Sequence, residues 1–314
     1  MLIREYAIQP EVLTDEGTIK FFLCQTGIFQ GRMISRYPRR WIRMVYDACV
    51  GSDMDMKKME VLGEKLKSRV LSANRPYDGN GPTWVANALE EHAREPFTGV
   101  ILADLDASPR TETVVSTSDV DEDCPCWQVS RDIVVKHTAA DLCRPAVSLL
   151  RMSREVVFVD RYFEGAGKHG RPLAAFLIEA LAGVAPSRLE YHFDDSASAV
   201  HIADQLRRML EFLPPLGSTA LRFVRWQQLP QQDGLHPRYV LTEHGGMKYD
   251  WGLAEDEGKT TDVHLLDTAI YTRRWSEYSA TSTAFKFIDG FEVLNDQVYR
   301  LGLDGGVFKN IGLA

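Results

Sequence analysis

From Arg154 onward the sequence alternates in a way that leaves few folds open. Residues 154–160 form an apolar run, Arg154-Glu-Val-Val-Phe-Val-Asp160, which ends in the polar side of Arg161 and Tyr162. An amphipathic stretch follows from Arg171 to Val184, then a strand-like segment from Arg188 to Asp194. A second amphipathic stretch from Ser198 to Leu213 is stopped by Pro214-Pro215, and a third apolar segment runs from Ala220 to Gln227. Such a βαβαβ run calls for a mixed or parallel sheet with helices on its faces. A hairpin is expected next: His236 to Thr242, a turn through Glu243-His244-Gly245-Gly246, and Met247 to Leu253 returning. Further strands are expected over 263–266 and 285–288, with a helix over 271–278 between them.

The N-terminal part has a different texture. Residues Thr18 to Cys24 read as a strand. Five arginines fall between Arg32 and Arg43, and Pro38 suits the first turn of a helix whose apolar face carries Trp41, Met44, Val45 and Ala48. Helices are expected from about Met54 to Leu71 and from Thr83 to Arg94, with a short strand over 99–104. From Asp106 to Ser130 the pattern dissolves into Ser, Thr, Asp and Pro and reads as an exposed acidic connection. The helix expected over 139–152 then leads into the second domain. The division is therefore a smaller α/β or α+β domain over 1–135 and a mixed sheet flanked by helices over 136–314.

With 314 residues, 45% of them apolar and 25% charged, two modest cores are affordable and disorder is not expected. No apolar run reaches the roughly 18 residues of a membrane span, and the first residues lack a secretion-signal pattern, so a cytoplasmic protein is expected. Five scattered cysteines fit a reducing compartment. Cys124-Pro-Cys126 with His137 and Cys143 has ligand types suited to zinc, but the spacing departs from Cys-x-x-Cys and chance thiols in an acidic loop are the plainer reading. No metal or cofactor is expected. The net charge of −8 is uneven: residues 1–70 carry 12 Lys+Arg against 9 Asp+Glu, whereas 71–130 carry 3 against 11. A polyanion contact should therefore be local.

Chemistry concentrates in the hairpin. His236 and Arg238, two apart on a strand, project to one face, with Glu243 expected at the turn. An imidazole beside a guanidinium suits phosphate: one group can attack phosphorus or donate a proton, the other holds two oxygens in a planar fork. Asp160 and Tyr162 end a strand of the sheet, where open α/β sheets place ligand groups, and Asp250 lies on the returning strand. His169-Gly-Arg171 reads as part of a Gly-rich loop with no acid downstream, and His192, His201 and His264 read as packing or surface residues.

These residues resemble the phospholipase D superfamily, whose signature is His-x-Lys, four residues, then Asp; this sequence reads His236-x-Arg238-x-x-x-x-Glu243. A narrower likeness is to the phospholipase D-like domain C-terminal to some MIT domains, carried by His236-Pro-Arg238-Tyr239, the Gly turn and the pair Gly252-Leu253. Asp160-Arg161-Tyr162 is similar to its Asp-Pro-Tyr element, with Arg161 in place of proline. The likeness spans roughly residues 154–288. It implies, for active members, a phosphohistidine mechanism with a second histidine from another copy of the motif. This chain has one copy, with Arg for Lys and Glu for Asp. The resemblance thus implies a phosphate or nucleic-acid binder that is weakly active or non-catalytic, in a setting such as bacterial antiviral defence. The alternatives are a metal-independent nuclease or phosphodiesterase working as a homodimer through His236, and an interaction subunit of a larger complex. Arg39, Arg40 and Arg43, with Tyr37 and Trp41 interleaved, are expected to contact the nucleic acid by charge and stacking.

Overall fold

The computed structural model describes residues 1–52, 56–71, 75, 81–230 and 237–314. The chain divides into two compact units, Leu2–Arg131 and Asp132–Ala314, the latter also taking in Met1.

In the first unit the described elements run β1 (Arg4–Ile8), α1 (Glu16–Gln25), β2 (Arg32–Ser35), α2 (Trp41–Cys49), α3 (Met56–Lys67), β3 (Val70–Leu71), α4 (Trp84–Arg94), β4 (Gly99–Leu102) and β5 (Val114–Ser116). The strands form one sheet in the order β3-β2-β1-β4-β5, and every pair is parallel. Parallel strands are covered on both faces, which is why β4 is buried throughout. The order reverses between β1 and β4, so the carboxyl ends of all five strands share one edge with a topological switch point in it.

Two expectations are corrected here. Residues Thr18 to Cys24 lie in α1, not in a strand. Asp15 caps that helix by accepting the Thr18 N–H at 2.9 Å, and Ile19 and Phe22, three apart, turn inward together. A short apolar run satisfies either period, and the cap before it decides. Residues 106–130 are not an exposed connection either. They contain β5, with Val114 and Val115 buried, and four further buried side chains, Val120, Cys124, Cys126 and Trp127. Trp127 meets Tyr6 edge-on at 4.7 Å, and Arg32 stands 4.9 Å over its ring. Sparse apolar residues in an acidic stretch are enough to seal that side of the core.

The second unit runs β6 (Asp132–Lys136), α5 (Ala139–Cys143), α6 (Val147–Met152), β7 (Glu155–Val159), α7 (Ala166–Ala182), β8 (Arg188–Asp194), α8 (Ala199–Met209), β9 (Leu221–Gln228), β10 (Arg238–Thr242), β11 (Gly245–Tyr249), β12 (Thr260–Leu265), α9 (Thr268–Glu277), β13 (Phe285–Leu294), β14 (Gln297–Asp304) and β15 (Val307–Leu313). They build a ten-stranded sheet, β15-β14-β13-β9-β8-β7-β10-β11-β12-β6. Only β7-β8-β9 are parallel, joined by α7 and α8; strands to either side pair antiparallel. The unit is thus a large mixed sheet flanked by helices. It begins at Asp132, a few residues before the boundary expected from composition, because β6 pairs with β12 as the sheet's edge.

In the hairpin, Thr242 pairs with Gly245, so the turn is only Glu243-His244 and both glycines lie in β11. Gly246 answers a packing demand. A Cβ there would stand 2.5 Å from Leu241 Cδ2 and 3.1 Å from Leu266 Cδ1.

Candidate functional site

The strand β7 ends at Asp160, where the parallel strands of the second unit present their carboxyl ends. Asp160 is 1% exposed, yet both carboxylate oxygens are occupied: Oδ1 accepts the Tyr162 N–H at 3.0 Å and Oδ2 accepts the Leu253 N–H at 2.8 Å. Burial opposes its ionisation, but His169 and these two N–H groups outweigh that and hold the carboxyl below the usual carboxylate range. The two N–H groups are the direct contacts. His169 Nε2 stands 3.8 Å from Oδ2, beyond hydrogen-bond length, and acts across a gap. The close fit is enforced by Gly252, which has φ +101° and whose Cβ, if present, would lie 2.9 Å from Asp160 Oδ2.

Around this carboxylate gather the groups that give the site its character. Arg238 opens β10 with its Nε 3.9 Å from Asp160 Oδ1, while its Nη1 donates to the Asp250 carbonyl at 2.9 Å. Its guanidinium carbon sits 4.9 Å over the Tyr162 ring. Arg161 approaches the same ring at 5.4 Å and pairs through Nε with Asp194 Oδ2 at 2.9 Å. Tyr162 is 52% exposed, so a solvent-facing ring stands near two guanidinium groups at the end of the sheet. Behind them, the buried Tyr191 hydroxyl is raised well above its ordinary value by burial and by the nearby Asp160 charge.

The structure sorts the residues expected from sequence. Asp160, Tyr162 and Arg238 come together, and Asp250 contributes its carbonyl while its carboxylate takes Lys248 Nζ at 2.6 Å and His264 Nε2 at 3.2 Å. Glu243 does not join them. It sits at the far end of β10, roughly 17 Å along the strand from Arg238 at about 3.4 Å per residue. There its carboxylate accepts the Arg154 and Glu155 N–H groups at 2.7 and 3.0 Å. His236 lies outside the described residues. Arg39, Arg40 and Arg43 belong to the first unit, where Arg43 pairs with Asp47 at 2.9 Å. Tyr37 and Trp41 are buried with their polar atoms spent on the Asn87 and Ile8 carbonyls, so they offer no stacking face.

Two residues of the site escaped sequence reasoning. Arg161 was only a departure from a motif, but it supplies the second cation beside Tyr162. His169 is in α7 rather than a loop. It finds its acid upstream, in Asp160, and its Nδ1 accepts the Glu164 N–H at 3.4 Å. His192 is structural: it is fully buried between Glu190, 3.0 Å from its Nε2, and Trp226, whose Nε1 donates to its Nδ1 at 2.7 Å.

Among the described residues no group of three or more His, Cys, Asp or Glu side chains is placed to hold a metal ion. Cys124 and Cys126 lie 3.5 Å apart, sulfur to sulfur, in the first unit, whereas His137 and Cys143 belong to the second. Burial pushes the Cys126 and Cys143 thiols up to about 12. Among the described residues no helix is long and apolar enough to cross a membrane. A scan against protein-family models, a search of curated proteins and a search of solved structures each return no match.

Proposed function

We propose that the second unit is a phosphate-recognition domain of phospholipase D type that holds a phosphodiester, nucleic acid above all, without cleaving it efficiently. The observation that carries this reading is the mounting of Arg238. Its guanidinium is held by the Asp250 carbonyl on one side and the Tyr162 ring on another, while the nearest Asp160 oxygen stays 3.9 Å away. A guanidinium so fixed, paired with Asp160 only at the long distance of 3.9 Å, keeps donors for the oxygens of a phosphate. Arg161 stands 5.4 Å from the same ring, with its charge paired to Asp194. Asp160 supports a binding role because both its oxygens are committed to backbone N–H groups, which leaves it poorly suited to move a proton. Its part is to keep the Gly252-Leu253 segment and the arginine in register.

The test is binding and cleavage measured together in EDTA, with single- and double-stranded DNA, RNA and a chromogenic phosphodiester as probes. Saturable binding that Arg238→Ala weakens at least tenfold, without turnover, is the expected result. Metal-independent cleavage abolished by His236→Ala would replace this reading with that of a nuclease or phosphodiesterase acting as a homodimer. Absence of binding to every probe would leave an interaction subunit.

A further inference from the structure

The first unit segregates its charge across its own sheet. The order β3-β2-β1-β4-β5 places the loop after β2, which carries Arg36, Arg39 and Arg40, on one side of the shared carboxyl edge. The loops after β4 and β5, with Asp104, Asp106 and Asp119, take the other side. Arg110, in the loop after β4, is spent inward: it donates to the Ser108 and Asp106 carbonyls at 2.6 and 2.9 Å. Gln9 ties the same loop to the end of β1 by accepting the Ala103 N–H at 2.8 Å.

On the basic side the pattern inverts. Arg36, Arg39 and Arg40 are exposed, and among the described residues none has a carboxylate partner. Arg36 Nε donates to the Arg39 carbonyl at 2.9 Å, which holds the first guanidinium beside the backbone of the second. Arg43, one turn further on, is neutralised by Asp47. Three neighbouring guanidinium groups without a carboxylate partner among the described residues suit backbone phosphates. Tyr37 and Trp41 would be the stacking platform for single strands, but both are buried in the core, at 4% and 0% exposure. With Tyr37 and Trp41 withdrawn into the core, this cluster offers a nucleic acid charge rather than a stack on either ring, which suits the backbone of a duplex better than an unpaired strand.

We propose that the first unit binds the phosphate backbone of double-stranded nucleic acid through Arg36, Arg39 and Arg40, independently of base sequence. This goes beyond the Arg238 site, and each of the two is removed without touching the other.

Fluorescence anisotropy with a labelled DNA duplex over a series of salt concentrations tests it on the full chain. The triple substitution Arg36→Ala/Arg39→Ala/Arg40→Ala should weaken duplex binding at least tenfold and lower the salt slope by about 2.7, at roughly 0.9 per phosphate contact. Arg43→Ala should change neither, and Arg39→Lys/Arg40→Lys should keep most of the affinity. Unfolding curves establish that the triple variant is folded; should it not be, the single reversal Arg39→Glu replaces it. The inference is overturned if the wild-type chain fails to bind duplex at low salt, if it prefers single strands, or if the triple variant binds duplex as the wild type does. Loss of duplex binding in Arg238→Ala but not in the triple variant would likewise overturn it, leaving the Arg238 reading intact. The reverse result would support it and remove duplex as the ligand of the second unit.

Discussion

Asp160 accepts the Leu253 N–H at 2.8 Å, so the end of the central strand β7 and the segment that follows β11 are closed on each other by one buried carboxylate. Everything at the candidate site depends on that closure. Hydrogen bonds to a charged group contribute about 1.5–3 kcal/mol each, and removing the acceptor leaves buried donors unmet. Asp160→Ala is expected to cost about 3–5 kcal/mol in urea unfolding, with Asp160→Asn costing less.

The same carboxylate sets a pH dependence. Its folded pKa is depressed, so its stabilisation is fully present above the unfolded value of about 3.9 and is lost as pH falls through the folded value. The gap in unfolding free energy between wild type and Asp160→Asn should therefore be constant near neutrality and narrow in acid. A gap that widened below pH ~4 would contradict this assignment.

His264 works in the opposite sense. Held 2.7 Å from Asp132 and 3.2 Å from Asp250, its pKa is raised: burial pulls it down, and the hydrogen bonds and charge of the two carboxylates outweigh that. Its contribution is fully present below the unfolded value of about 6.5 and disappears as pH rises through the folded value. The imidazole is about a third exposed, so His264→Ala should cost under about 1 kcal/mol at pH 5 and almost nothing in mild alkali. Paired thermal melts at the two pH values measure it.

Gly252→Ala should destabilise by about 1–2 kcal/mol from the left-handed backbone alone. The added Cβ would also crowd Asp160 Oδ2, so phosphate binding should weaken together with stability. Titration with a phosphodiester under native conditions separates the two effects.

Glu243→Ala makes the contrasting case. It uncaps the Arg154 and Glu155 N–H groups and should cost about 1 kcal/mol, while phosphodiester affinity stays unchanged. A loss of affinity comparable to that of Arg238→Ala would return Glu243 to the site.

How far the sequence reveals this molecule depends on the length of its patterns. The alternation that builds β7-α7-β8-α8-β9 spans many residues, and its elements fall within a few residues of where periodicity puts them. The short segments mislead. Residues in α1 mimic a strand, β2 is masked by the arginines around it, and β5 hides in an acidic stretch. Asp160 was legible because a polar residue at the end of an apolar strand is conspicuous. Glu243 lies at the turn where it was expected, but its grouping with Arg238 does not hold, because spacing along a strand says which face a side chain takes, not which end of the sheet it reaches. His169 was overlooked because its partner lies upstream, in a strand, where a local motif does not look.

The placement of β7 at the middle of the second sheet orders events in time as well as in space. Its neighbours β8 and β10 arrive from opposite directions, one directly through α7 and the other only after two complete βα units have been laid down. Contacts of such sequence separation form late, because loop closure must be met before they repay it. A chain emerging from the ribosome can pair β7, β8 and β9 long before Arg238 reaches Asp160. The mouth of the site thus closes only after that parallel core has formed, and ligand affinity becomes a reporter that folding has passed beyond it.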